Sequence, residues 1–190
     1  MISAKLGHSL DKPLAPIARL ISISPNALSV TGFAFTIAAA MIIPFSSRTG
    51  GFVILAGGVF DLLDGVVARA NGKDTQFGAL LDSTLDRYAD AALFLAIAWL
   101  FLKQNNLAGV FFTVGSLIGS FLVSYVRARA EGLGIGCNVG LIERPERIVL
   151  LAAACVTGWL FPVIIALFVL SHITVVQRVV HVYKTASHRL

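Results

Sequence analysis

Apolar runs of membrane-spanning length recur along this chain, and they restrict its folding more than any other feature. Inside lipid such a run has no water to bond its backbone N–H and C=O groups, and a helix satisfies them within the run itself. Only 13% of the residues are charged and 57% are apolar, against about 25% charged in an ordinary soluble domain. The expectation is an all-α integral membrane protein. Six transmembrane helices are expected over about 26–45, 51–68, 77–102, 108–126, 148 to 159–161, and 162–180. The fifth is short for a hydrocarbon layer of about 30 Å, so an earlier start near Pro145 is expected. Ser24-Pro25-Asn26 reads as the start of the first span, with Ser24 as cap and Pro25 in the first turn.

Ahead of the spans, residues 1–22 read as an interfacial amphipathic helix. Lys5, Lys12 and Arg19 would face head groups, and Leu6, Leu14, Ile17 and Leu20 would face inward. Asp11, Lys12 and two prolines interrupt this segment, so it is not an ordinary signal peptide. Residues 23–183 would then form one six-helix bundle, and residues 1–190 a single domain. Of the fifteen basic residues, only Arg48 and Lys103 fall in turns on the expected outer side, and all ten acidic residues avoid those turns. That asymmetry places both termini and the 61–86 turn in the cytoplasm. The formal charge of +5 is scattered between apolar runs without a nucleic-acid-binding pattern. It suits an anionic leaflet or a phosphate-bearing substrate better. Cys137 and Cys155 have no metal-ligand spacing and imply no disulfide.

Four aspartates interrupt this apolar background. Asp61 and Asp64 are three apart, Asp82 and Asp86 four apart, so on helices each pair shares a face. An interruption carrying Gly65, Arg69, Asn71, Gly72, Lys73, Asp74 and Gly78 separates the pairs. Carboxylates brought together in this way repel one another and need a counter-charge. All-oxygen ligation favours Mg2+, Mn2+ or Ca2+ over zinc. Four carboxylates can hold two ions, or one ion plus a catalytic base, and spacing alone leaves the four equivalent.

These residues carry a resemblance. The segment matches D-x2-D-G-x2-A-R-x8-G-x3-D-x3-D at Asp61, Asp64, Gly65, Ala68, Arg69, Gly78, Asp82 and Asp86, and so resembles the CDP-alcohol phosphatidyltransferases. The resemblance extends over essentially the whole chain. It implies a membrane enzyme that moves a phosphatidyl-type group from a CDP-linked lipid to an alcohol, releasing CMP. It further implies two Mg2+ per subunit, replaceable by Mn2+, with Asp61, Asp64 and Asp82 as principal ligands. Asp86 would be the general base and would also support the second metal. Gly65, Ala68, Arg69 and Gly78 would lie against the CDP moiety, as would Thr75, Pro25 and Asn26. A homodimer is implied as well.

Arginines recur at the cytoplasmic ends of the later spans: Arg127 and Arg129 in SYVRARAEGLG, Arg144 and Arg147 in ERPER, and Arg178 within the sixth span. Guanidinium groups bind phosphate through paired hydrogen bonds, so several around one cavity suit an acceptor that itself bears phosphate. Together with NVGLIERPER, this region resembles the phosphatidylinositol-phosphate and archaetidylinositol-phosphate synthases of the family. The resemblance implies inositol 1-phosphate as acceptor and CDP-diacylglycerol or CDP-archaeol as donor. Arg129, Arg147 and Arg178 would be the leading acceptor-phosphate residues, with Arg127 and Arg144 behind them. Glycerol 3-phosphate is the nearest alternative, and charge does not separate the two. An ion-coupled transporter would also bury acids and arginines. It would not explain four acids tied to a single turn.

Overall fold

The computed structural model of the protein describes residues 24–71 and 75–187. The expected interfacial helix over 1–22 lies outside the described residues, as do Lys73 and Asp74. Among the described residues there are six helices and no strand: α1 (Pro25–Ile42), α2 (Ser47–Asn71), α3 (Gln76–Lys103), α4 (Leu107–Gly132), α5 (Arg144–Thr157) and α6 (Leu160–Ser187).

Local chemistry sets the helix starts. Ser24 Oγ accepts from the Ala27 N–H at 3.3 Å, and Pro25 occupies the first turn of α1, as its sequence suggests. Thr75 Oγ1 accepts from the Gly78 N–H at 2.9 Å and starts α3. Asn106 Oδ1 does the same for Gly109 at the start of α4, at 2.8 Å. At α5, Pro145 sits in the first turn and the Glu146 carboxylate accepts from the Glu143 N–H at 3.2 Å.

Each helix packs on two neighbours, and the pairings α1–α2, α2–α5, α5–α6, α6–α4, α4–α3 and α3–α1 close a ring. Ile43, Ile54, Leu93, Phe94, Ile97, Leu151, Ile164 and Leu167 fill its centre and are buried. Large apolar side chains also cover the outside: Met41, Phe52, Trp99, Phe111, Trp159 and Val176 are all exposed. A bundle apolar on both its inner and outer surfaces is built to sit in lipid.

Helices α1, α4 and α6 are long and apolar enough to cross a membrane. Helices α2 and α3 are as long, at 25 and 28 residues, but carry the aspartates. Helix α5 does start before Ile148, at Arg144, yet has only 14 residues, about 21 Å of helix. It is the short wall of the ring, and its first turn brings Arg144 and Arg147 beneath α2 and α3.

Candidate active site

Asp61 on α2 and Asp86 on α3 meet at one end of the ring, and Arg144 from the first turn of α5 lies between them. Arg144 Nη1 donates to Asp61 Oδ2 at 3.0 Å and lies 2.9 Å from Asp86 Oδ1. Asp82 is one turn before Asp86 on α3, close enough that its charge, with those of Asp61 and Asp90, bears on Asp86. Arg87 Nη1 approaches the other Asp86 oxygen at 3.5 Å and also donates to the Ser83 carbonyl. Asp61 can reach this point because residue 32 of α1 is glycine. A Cβ there would overlap Asp61 Oδ1, so any larger residue would push the carboxylate away.

Behind this pair lies a buried one. Asp90, 4% exposed, accepts from Ser120 Oγ at 2.7 Å and from Arg147 Nη2 at 2.9 Å, and Arg147 itself is 1% exposed. A charge buried this deeply is tolerated only beside its opposite. Asp90 Oδ1 faces Arg144 Nε at 3.5 Å.

A second set of contacts holds the segment between α4 and α5. Arg178 Nε donates to the Val139 carbonyl at 2.8 Å and Nη1 to the Val123 carbonyl at 2.6 Å. Its Nη2 donates to Glu143 Oε1 at 3.0 Å. Arg127 reaches the same Glu143 oxygen at 3.4 Å and pairs with Glu131 at 2.9 Å. Arg129 is exposed beside a small apolar groove that includes Tyr125, Leu133 and Val179. Described contacts thus link four of the five arginines through two acids: Arg127 and Arg178 through Glu143, Arg144 and Arg147 through Asp90. The sequence does not single out Glu143 or Ser120. Asp90, one helical turn beyond Asp86, reads there as an arginine's salt-bridge partner or a cavity-lining acid and not as a ligand, and the structure pairs it with Arg147. Nothing in the local sequence of Ser120 distinguishes it from other small polar residues in a span.

Of the residues expected at the nucleotide, Thr75 and Pro25 are at helix starts, and Gly78 faces Asn26. A Cβ on Gly78 would come within 3.0 Å of Asn26 Oδ1. Gly65 lies in α2, and the side chains of Asp64, Ala68 and Arg69 lie outside the described residues. A cavity of about 720 Å³ opens at the opposite end of the ring. Ser46, Arg48, Thr49 and Gln104 are among its lining, which includes no acid. It does not adjoin the carboxylates.

The donor set at the aspartates suits a hard divalent ion, because ionised carboxylates offer only acceptor oxygens. Among the described residues no three acidic, histidine or cysteine side chains are gathered closely enough to hold one. Instead a cation from the protein, the Arg144 guanidinium, already bridges two of the acids.

Residues 22–184 match the family model described as CDP-alcohol phosphatidyltransferase. The chain belongs to that family. It is 38% identical to the archaetidylinositol phosphate synthase of Methanothermobacter thermautotrophicus, over 89% of this chain and 88% of that protein. It is 34% identical to the phosphatidylinositol phosphate synthase of Mycobacteroides abscessus, over 100% of this chain and 90% of that one. The crystal structure of Mycobacterium tuberculosis phosphatidylinositol phosphate synthase with CDP-DAG bound superposes with a TM-score of 0.81 at 31% identity, covering 92% of this chain and 94% of that one. The same mycobacterial protein in complex with manganese and citrate gives a TM-score of 0.79 at 33% identity, covering 91% and 88%. The protein is therefore an enzyme, a membrane transferase of phospholipid biosynthesis.

Proposed function

We propose that the enzyme transfers a phosphatidyl-type group from a CDP-linked lipid to inositol 1-phosphate and releases CMP. The observation that carries this reading is the approach of acids from two successive helices, Asp61 and Asp86, to one point at one end of the ring. Likeness to inositol-phosphate synthases over nearly the whole chain supports the acceptor. Asp61, Asp64 and Asp82 would hold divalent metal, Mg2+ or Mn2+, with Asp86 beside them; a relative's structure with manganese supports this. Metal at that place would neutralise pyrophosphate charge and stabilise the departing CMP oxygen.

The chain's own groups do the rest. Asp86 takes the proton of the attacking hydroxyl as its oxygen bonds to the lipid-side phosphorus, and the bond from that phosphorus to the CMP oxygen breaks. Pro25, Asn26, Gly65, Ala68, Arg69, Thr75 and Gly78 line the CDP side. Arg129 and the Arg127–Glu143–Arg178 group lie on the acceptor side, where Arg178 fixes the 133–143 segment under α4. Arg144 and Arg147 reach the same end from α5.

In the membrane, six spans with both termini and the carboxylate end cytoplasmic follow from charge. Arg48 and Lys103 lie at the far end, where they donate to the Val156 and Pro44 carbonyls. A homodimer with one site per subunit completes the reading. The test is an acceptor panel with purified enzyme in lipid, using CDP-diacylglycerol and CDP-archaeol as donors. Magnesium-dependent CMP release with inositol 1-phosphate, and little with inositol, glycerol 3-phosphate or serine, is expected. Release with glycerol 3-phosphate alone would overturn the acceptor assignment.

A further inference from the structure

The cation between Asp61 and Asp86 belongs to the protein, and it occupies oxygens that a bound ion would also need. Arg144 Nη1 contacts Asp61 Oδ2 and Asp86 Oδ1 at 3.0 and 2.9 Å. Of the remaining oxygens, Asp61 Oδ1 lies beside Gly32 and Asp86 Oδ2 faces Arg87 at 3.5 Å. A divalent ion at these acids and a guanidinium at 3 Å from them would repel strongly in a half-buried site. Arg87 is a poorer rival for the acids, being 38% exposed at its side chain and bonded to its own helix.

A second seat for the guanidinium already exists. Arg144 Nε and Asp90 Oδ1 are both buried and neither has a hydrogen-bond partner among the described residues, yet they face each other at 3.5 Å. Swinging Nη1 off Asp61 and Asp86 while Nε closes the last tenths of an ångström onto Asp90 Oδ1 would turn this contact into a charge-assisted hydrogen bond. Asp90 cannot move forward to meet Arg144, because Ser120 and Arg147 hold its other oxygen at 2.7 and 2.9 Å. The guanidinium must therefore come back to Asp90.

We infer that Arg144 is a displaceable counter-cation. It neutralises Asp61 and Asp86 while no ion is bound, and it withdraws onto Asp90 when a divalent ion loads. Asp90 is then a positioning residue that never touches the ion. The arrangement lets an acid cluster fold in an apolar bundle before metal arrives, and it weakens metal binding by the competition. This inference rests on the metal reading of the aspartates given above.

The test is Mn2+ binding to the purified full chain in lipid, without either substrate, followed by the electron paramagnetic resonance signal of free Mn2+. Arg144→Met removes the rival and should bind Mn2+ about tenfold tighter or more, the scale of one charge-assisted hydrogen bond. Arg144→Lys keeps the charge without the fork and should fall between that variant and wild type. The Mn2+-induced rise in unfolding temperature should increase in the same order. If Arg144→Met does not fold without metal, the lysine variant alone decides the matter. Unchanged or weaker Mn2+ binding in the folded variants would overturn the inference. Binding that Asp61→Asn abolishes but Arg144 variants leave unchanged would sink this inference alone. No Mn2+ binding by wild type or either variant would sink the metal reading with it.

Discussion

Replacing Asp90 with asparagine tests the buried charge pair directly. The substitution keeps the shape and an oxygen for Ser120 Oγ, removes the charge, and puts an amide NH2 in place of the oxygen that faces Arg144 Nε. Arg147 would then sit 1% exposed with its main counter-charge gone, while its Nε and Nη1 already have no hydrogen-bond partner among the described residues. Breaking one side of such a pair costs about 3–5 kcal/mol, most of it the desolvation of the charge left behind. Reversible unfolding in mixed micelles should show that loss for Asp90→Asn. Adding Arg147→Met removes the stranded charge, and the double variant should recover about half of the loss or more. A single-variant loss below about 1 kcal/mol would refute the reasoning. So would a double variant no more stable than Asp90→Asn, since the penalty would then lie elsewhere.

Further outcomes follow from the same geometry. Asp86→Asn should lower CMP release by about a hundredfold or more while CDP-lipid binding persists, the size of a lost general base; wild-type turnover would remove Asp86 from that role. Gly32→Ala places a methyl where Asp61 Oδ1 lies, and displacement of that carboxylate should cost about a hundredfold in turnover with the fold retained, checked by size-exclusion profile and circular dichroism. Glu143→Gln leaves Arg127 and Arg178 a carbonyl oxygen but removes their shared negative charge. It should cost about 1.5–3 kcal/mol in unfolding and speed proteolysis between residues 133 and 143. Chelation of divalent ions should abolish CMP release, and either Mg2+ or Mn2+ should restore it.

Local pattern went far in this chain. The spacing from Asp61 to Asp86 pointed to the family, and Ser24-Pro25 marked the start of α1, because ligand spacing and capping depend on neighbours within a few residues. The apolar runs marked the helices for the same reason. The roles of the arginines were less legible. A guanidinium fork fits carboxylate and phosphate alike, so composition could not tell an arginine awaiting substrate from one already paired. Arg144 meets Asp61 across 83 residues, Arg147 meets Asp90 across 57, and Arg178 meets Glu143 across 35.

The amino-acid order by itself determined a helical membrane chain of this enzyme family, with four acids flanking one turn. Only the closing of the ring decided which cation faces those acids. That choice depends on α5 being short and starting beneath α2 and α3, where burial leaves each arginine stable only beside the nearest carboxylate.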